Sequence, residues 1–588
     1  MTGLSTSAKK VLEARYLLRS EEGKIIESPE EMFRRVAKFI ASAEFQYRGY
    51  KEAEKKEEEF FSLLSNLLFL PNSPTLMNAG TSLGQLSACF VLPVEDSLDS
   101  IFKALSDMSK IQQSGGGTGF DFSKLRPTGD IVKSTRGIAS GPVSFMKIFN
   151  SATNEIKQGG KRRGANMGIL RYDHPDIMEF IRAKLKEGEL TNFNISVAVT
   201  DEFMDKLKKD EWIFLKNPRT GERMGKIKAK VLLDEIVDSA WKCGDPGLIF
   251  LDTINKANPT PALGEITATN PCGEVPLLPY ESCNLGSINL SKFVKGKKWK
   301  GKVDYEELSK AVHTAVRFLD NVIDVNRYPI PETEIITKGN RKIGLGIMGF
   351  AEMLIKMGIS YYSREALKVA DEVMRFIKKE AFKASVLLSR ERGSFPNIQK
   401  SIYRPPLRNA TRTSIAPTGS ISIIAGTTSG IEPLFSVVMK REEILEGEMF
   451  EEINPLFVQY LKERRLNPRS AIDELKEKGF LGNTSLPEDV KKLFITALEI
   501  PPEFHVKMQA VFQRHTDNAV SKTVNMKPSA TKDDVKKVYL LAYSLGCKGI
   551  TIYRYGSRQS QVLKMDIGDE FDPSHLFKCE IDCCCPVM

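Results

Sequence analysis

Asn270-Pro271-Cys272-Gly273-Glu274 sets an amide, a thiol and a carboxylate at alternate positions of one short segment. In an extended chain, side chains two apart share a face, so the three groups would look into one space. Pro271 and Gly273 also favour a turn, where a buried cysteine is only a small hydrophobe. The five residues alone leave these two readings evenly matched.

The surrounding chain narrows the choice. At 588 residues it is long enough for several average domains, yet one large catalytic domain with short flanks is equally compatible. Its net charge of +10 is modest, and an excess of solvated lysines accounts for it. Such a charge suits anionic small molecules as well as nucleic acid, so it selects neither. No apolar run reaches the ~18 residues of a membrane span. The start, MTGLSTSAKKVLEARYLL, lacks the features of a secretory signal, and a cytoplasmic location is expected. Abundant Lys and Glu would suit a thermophile, though only compositionally.

Nine cysteines stand at positions 89, 243, 272, 283, 547, 579, 583, 584 and 585. In a reducing compartment they are inert core thiols, metal ligands or redox catalysts rather than a structural disulfide framework. Cys272 and Cys283 fit no zinc spacing. The cluster from 579 to 585 could bind metal, but its three adjacent cysteines cannot readily all face one ion. No metal site is therefore expected, and the redox reading leads.

Ser28-Pro29-Glu30-Glu31 carries the signature of a helix start, followed by Phe33, Val36, Ala37, Ile40 and Ala41 at helical spacing. Asp304 and Glu307 cap a second helix with a stripe of Leu308, Val312, Ala315, Leu319 and Val322, flanked by His313 as a bystander. Short apolar runs at 87–93, 192–200 and 412–426 read as strands, which with the helices suggests an α/β protein with mostly parallel pairing. Gly344-Leu-Gly346-Ile-Met-Gly349 matches a dinucleotide fingerprint, but NRKIG offers barely two strand-like residues before it. Glycines letting a helix pack on a strand explain it more simply. From Met565 the chain turns acidic and then cysteine-rich with no amphipathic period, and reads as a mobile extension.

Asn270-Pro271-Cys272-Gly273-Glu274, with Cys283 following in ESCNLGSINL, resembles the finger loop of ribonucleotide reductases. NSPTLMNAG at 72–80, Ser87-Ala88-Cys89, QSGGGTGF at 113–120, GGKRRGA at 159–165 and Pro417-Thr418-Gly419-Ser420 resemble further segments of that family, in its order. The resemblance implies a ten-stranded α/β barrel, built from two antiparallel halves of five parallel strands, with the finger loop inside. It divides the chain into a helical region over 1–70 without an ATP-cone, a catalytic barrel with specificity loops over 71–564, and a redox tail over 565–588.

By the same resemblance, a thiyl radical on Cys272 takes the 3′-hydrogen of a ribonucleotide and Glu274 acts as general base. Asn270 holds the ribose, and Cys89 and Cys283 supply reducing equivalents by becoming a labile disulfide. Ser73, Thr75, Ala88, Gly117, Pro271, Gly273, Pro417, Thr418, Gly419, Ser420 and Ile421 would contact substrate, its phosphates resting on the turn at 417–420. Gly117 would admit the nucleotide to the backbone. Asp96, Lys161 and Arg162 would bind a deoxynucleoside triphosphate effector near the interface of a homodimer. Cys579 with Cys583 or Cys584 would shuttle electrons from thioredoxin or a similar protein. Neither nucleic acid nor membrane is an expected partner.

Three family classes differ in their radical source. Class I large subunits carry adjacent tyrosines near the end of the barrel; here the matching positions are Ile552 and Tyr553, and an aliphatic side chain relays no radical. No glycyl-radical loop occurs. CKGITIYRYGSRQSQVL and DNAVSKTVN are similar to the adenosylcobalamin-dependent class II, with a departure at Tyr555, where that class has Asp. The alternatives are a class I-type large subunit needing a separate radical-generating partner and a nucleotide-binding regulator that has lost catalysis.

Overall fold

Alternation along ten strands sorts their side chains onto two faces, and that sorting creates the interior in which the site lies. The structure, a computed structural model, describes residues 4–132, 136–158, 162–186, 188–441, 450–557 and 563–564. In chain order the strands are β1 (Phe69–Pro71), β2 (Cys89–Leu92), β3 (Gly117–Asp121), β4 (Asn166–Arg171), β5 (Phe193–Val199), β6 (Gly247–Phe250), β7 (Ser282–Asn289), β8 (Ile343–Met348), β9 (Thr523–Met526) and β10 (Gly549–Arg554). Strands β2 to β6 pair side by side, all parallel. At one end β7 pairs antiparallel with β2, and at the other β10 pairs antiparallel with β6. Strand β8 runs parallel beside β7, and β9 beside β10. Parallel bridges join Leu345 to Thr413 and Ile415 to Val520. The whole is an α/β barrel domain preceded by a helical region.

On the outer face Phe90, Leu92, Phe120, Leu170, Val197 and Phe250 join a core shared with the flanking helices. On the inner face Cys89, Val91, Met167, Ile169, Ile249 and Cys283 form a separate cluster. The inner cluster also takes in Ala268 and Leu277 of a hairpin, Ala268–Thr269 against Pro276–Leu277, that fills the barrel's middle.

The N-terminal helix Pro29–Ala41 starts with the expected capping box, Ser28 Oγ accepting from Glu31 N and the Glu31 carboxylate from Ser28 N. Its stripe packs against helices Tyr50–Ser65 and Tyr305–Val325. A buried ionic cluster ties this region to the barrel. Asp320 accepts from Arg341 Nε (3.0 Å), Arg392 Nη1 (3.0 Å), Arg408 Nε (3.2 Å) and Asn409 Nδ2 (3.0 Å). Arg392 also binds Glu44 of the N-terminal region. His313, beside its helix stripe, meets Glu380 at 3.1 Å.

Two local expectations are corrected. Gly344 and Gly346 lie within strand β8 itself, not in a turn after one, and a Cβ on Gly346 would stand 2.3 Å from the Ser414 carbonyl oxygen. Gly346 admits a neighbouring stretch of backbone and Gly344 the Leu285 and Ser414 side chains, not a helix. The run 412–426 is not one strand: after the bridges at Thr413 and Ile415, Thr418 turns left-handed (φ 58°) and a short helix spans Gly419–Ala425. The dense Gly-Ser content stops the strand where the isoleucines alone suggested it continues.

Candidate active site

The hairpin's tip is a tight turn, not the extended segment expected from alternation. Gly273 takes φ +79°, and its N–H donates to the Asn270 carbonyl at 3.0 Å. The Asn270 side chain closes the turn by accepting from Val275 N at 3.0 Å. Its amide nitrogen meets Cys89 Sγ at 3.2 Å. A turn thus brings together the groups that alternation was expected to align.

Three outside hydrogen bonds and two close approaches to glycines hold this tip. Asn194 Nδ2 donates to the Pro271 carbonyl (2.8 Å). The Glu274 carbonyl accepts from Ser414 Oγ (2.9 Å) and Ala519 N (2.9 Å). Against β3, a Cβ on Gly119 would fall 1.7 Å from the Thr269 carbonyl oxygen, and one on Gly117 would fall 2.9 Å from the Pro271 ring. Gly117 therefore admits the finger loop as well as bordering the cavity beside it.

Cys89 and Cys283 are register partners across the antiparallel β2–β7 pair. Facing residues of such a pair have Cα atoms roughly 4.5–5.5 Å apart, within the range of roughly 4.4–6.8 Å that a disulfide spans. Both thiols are buried. Burial, then the Glu274 charge and the neighbouring thiols, pushes the Cys89 thiol far above its ordinary range. Burial raises Cys283 too, opposed by the charge of Lys342. Cys272 is exposed to the cavity.

That cavity measures about 980 Å³, at the upper end of the usual span of roughly 300–1,000 Å³ for ligand sites. Asn270 to Glu274, Cys89, Ala88, Ser73, Gly117 and Pro417 to Ile421 all border it. Thr75 does not: it is fully buried, its hydroxyl donating to the Leu86 carbonyl (2.9 Å) and to Asn72 Oδ1 (3.1 Å). Its place in a helix turn beside Asn72 uses its polar atoms internally. Ser73 Oγ shares a hydrogen bond with Tyr16 (2.8 Å), and Thr418 Oγ1 accepts from Gly430 N (2.7 Å).

Sequence reasoning missed a second wall. Buried Lys522 pairs with Glu432, whose other oxygen accepts from Thr523 N, and both side chains border the cavity. Gln509 Oε1, Thr428 Oγ1 and Asn72 Nδ2 on the wall are buried with no protein partner. Lysine and glutamate ninety residues apart give no local signal; only the fold joins them. Asp96 sits outside the cavity wall, its carboxylate engaging Arg126 Nε and Nη2, each at 2.9 Å. Arg162 belongs to a short strand paired with Lys157–Gln158, while Lys161 and the tail cysteines Cys579, Cys583 and Cys584 lie outside the described residues. Among the described residues no cluster of His, Cys, Asp and Glu could hold a metal ion, and no helix is long and apolar enough to cross a membrane.

An exposed thiol at a hairpin tip inside an α/β barrel thus stands at the same cavity as Cys89, the register partner of Cys283. The ribonucleotide reductase barrel-domain family model matches residues 87–406 and 397–553, and that family's all-alpha domain matches 2–84. The chain belongs to the ribonucleotide reductases. It is 51% identical to the vitamin B12-dependent ribonucleoside-diphosphate reductase of Thermoplasma acidophilum, covering 95% of this chain and 80% of that one. The protein of the same description from Mycobacterium tuberculosis is 50% identical over 95% of this chain and 80% of its own length. The Actinobacillus ureae class Id ribonucleotide reductase alpha subunit shares the fold, with a TM-score of 0.77 at 23% identity over 94% of this chain and 97% of that one.

Proposed function

We propose that this chain is an adenosylcobalamin-dependent ribonucleotide reductase that converts ribonucleoside diphosphates to deoxyribonucleotides. The observation that carries the proposal is the meeting of Cys272, Asn270, Glu274 and Cys89 at one cavity, with Cys283 facing Cys89 across the β2–β7 pair. The class and the diphosphate rest on the half-identical relatives named for vitamin B12 and for that substrate.

The cofactor fits what surrounds the finger. The cavity has room beyond a single nucleotide, and Gln509, Thr428 and Asn72 offer it buried polar atoms without protein partners, suited to the amide-rimmed corrin. When bound, adenosylcobalamin would supply radical chemistry to this site, and the Cys272 thiyl is the form in which this chain uses it. Cys272 Sγ then abstracts the ribose 3′-hydrogen, and Glu274 accepts the 3′-hydroxyl proton. The 2′-hydroxyl leaves as water. Cys89 and Cys283 give two electrons and their protons, joining as a disulfide, and Cys272 returns the hydrogen to C3′. Asn270 holds the ribose in register while its own amide is fixed by Val275 and Cys89. The phosphates rest at the start of helix Gly419–Ala425, with Pro417 to Ile421 around them, and Ser73, Ala88, Gly117, Pro271 and Gly273 border the remainder.

The finer architecture is a closed barrel of two five-stranded halves. One is β2 to β6; the other is β7, β8, the stretch through Thr413–Ile415, β9 extended to Val520, and β10, joined by the parallel bridges. The domain reading stays 1–70, 71–564 and 565–588. A homodimer would cover the exposed Leu98, Phe102 and Ile148 on the adjoining helices Leu98–Gln113 and Gly141–Glu155. Asp96, just before the first of these, with Lys161 and Arg162, would bind the deoxynucleoside triphosphate. The tail carrying Cys579, Cys583 and Cys584 would shuttle electrons from thioredoxin or a similar protein; what supports this is that Leu563–Lys564, before it, pairs with Val438–Arg441, close in sequence to Ser436 on the cavity wall.

Purified protein with adenosylcobalamin, a dithiol and a ribonucleoside diphosphate should form deoxyribonucleotide with no second subunit. Product only after adding a radical-generating subunit would move the chain to class I. Ile552, packed in the outer core and 1% exposed, favours the first outcome.

A further inference from the structure

The two reducing cysteines are chemically unequal. Cys89 borders the cavity; Cys283, 0% exposed and beside it across the β2–β7 pair, is absent from the cavity wall. Beneath Cys283 is a buried ion pair that the reduction chemistry above does not use. Lys342 Nζ stands 2.6 Å from Glu281 Oε2, both side chains at most 1% exposed. Asn340 Nδ2 (2.7 Å) and Leu278 N (2.9 Å) also donate to the Glu281 carboxylate, which fixes the pair in place. The Lys342 carbonyl is 3.7 Å from Cys283 Sγ, so this lysine and the thiol are immediate neighbours.

We propose that the Cys89–Cys283 disulfide opens from one side, the incoming thiolate attacking Cys89 while Cys283 departs beside Lys342, a positioning residue for that step. The inference rests on the disulfide of the proposed function. Access and charge agree on the direction. A thiolate in the cavity meets Cys89 first. The Glu274 charge is the chief electrostatic burden on a Cys89 thiolate, whereas for Cys283 the Lys342 charge comes first and favours the thiolate, with Glu281 and Glu274 opposing it more weakly. Glu281 opposes that benefit, but it is shared with Asn340 and the Leu278 amide. Disulfide exchange is faster when the departing sulfur is the better-stabilised thiolate.

The step balances as ordinary exchange. The external sulfur bonds to Cys89 Sγ as the Cys89–Cys283 bond breaks, and Cys283 leaves with the electron pair and is then protonated. A second external thiolate attacks the external sulfur and releases Cys89. Two thiols are oxidised to one disulfide while the protein regains two thiols.

The test uses full-length protein with Cys579, Cys583, Cys584 and Cys585 changed to Ser, oxidised by one turnover without reductant. Brief exposure to glutathione, an acid quench and peptide mapping then locate the adduct. Glutathione on Cys89 should exceed that on Cys283 at least tenfold; equal labelling, or a preference for Cys283, overturns the inference. Lys342→Met should slow opening about tenfold and Lys342→Arg should restore most of the rate, an outcome that a purely structural lysine would not produce. If the methionine variant does not fold, the labelling ratio in the parent still decides. Failure to find any Cys89–Cys283 disulfide after turnover overturns the proposed function's redox pair and this inference with it. A disulfide present but opened at Cys283 overturns this inference alone.

Discussion

The Thr269 carbonyl oxygen occupies the space a side chain on Gly119 would need, 1.7 Å from the position of its Cβ. Both partners are backbone or fixed to it, so neither can yield as a flexible side chain would. Gly119→Ala should push the finger hairpin off β3. Overpacking of this kind typically costs about 1–3 kcal/mol, and a shift of roughly 1 Å at a reacting group can cost about 100-fold in rate. The variant should fold, as judged by circular dichroism, and reduce nucleotides at least ~100-fold more slowly; near-parental turnover would show that the contact does not set the thiol's position.

Asn194 and Ser414 hold the finger tip from opposite walls without bordering the reaction in the same way as Cys272. Ser414→Ala removes one donor to the Glu274 carbonyl and leaves the Ala519 amide in place. Loss of a single buried hydrogen bond is worth about 1 kcal/mol. The expected result is a several-fold fall in kcat with KM for the nucleotide little changed, read from steady-state kinetics.

Because burial raises both wall thiols, Cys89 and Cys283 keep their protons where an ordinary thiol, near ~8.5, is half ionised. In the reduced enzyme iodoacetamide at pH 8 should label Cys272 well before either. The sign for stability follows. The fold retains protons that the unfolded chain releases, so this contribution is complete below ~8.5 and declines as pH rises above it. Replacing both wall cysteines by Ser should flatten the loss of stability between about pH 8 and pH 10 in denaturant titrations.

Burial alone would raise the Asp320 carboxyl, but Arg341, Arg408 and Arg392 outweigh it and hold it well below its usual range. Its contribution is therefore complete above the unfolded value near ~3.9 and is lost as pH falls below it. Asp320→Asn leaves three arginines short of a charge, a defect of about 3–5 kcal/mol at neutral pH. Urea unfolding should show that gap at pH 7 and a smaller one near pH 3.5; a constant gap would contradict the electrostatic account.

The thiol, acid and amide of 270–274 stand out because they are packed into five adjacent residues, but whether they lie extended or in a turn was not legible there, and their roles came only from resemblance. Strands at 87–93 and 192–200 were legible too, as short apolar runs bounded by turn-forming residues. The pairing of Cys89 with Cys283 came only from resemblance, because nothing in either segment specifies the register that places them opposite one another. The Lys522–Glu432 wall was not legible at all, for the same reason. Thr75 illustrates the converse limit: a hydroxyl in a suggestive motif, whose hydrogen bonds turn inward to the capping Asn72 side chain and the Leu86 carbonyl.

The finger hairpin has strands of only two residues each, too little pairing to be rigid alone. Its tip hangs from Asn194 next to β5 pairing on one arc and from Ser414 and Ala519 on the other. The thiol is thus suspended across the bore, and the bore's width sets where it stands. A substitution far away in the wall that spreads the two arcs would detune the radical chemistry without touching any reacting atom, and distant lesions of that kind should appear as lost turnover in a protein that still binds its ligands.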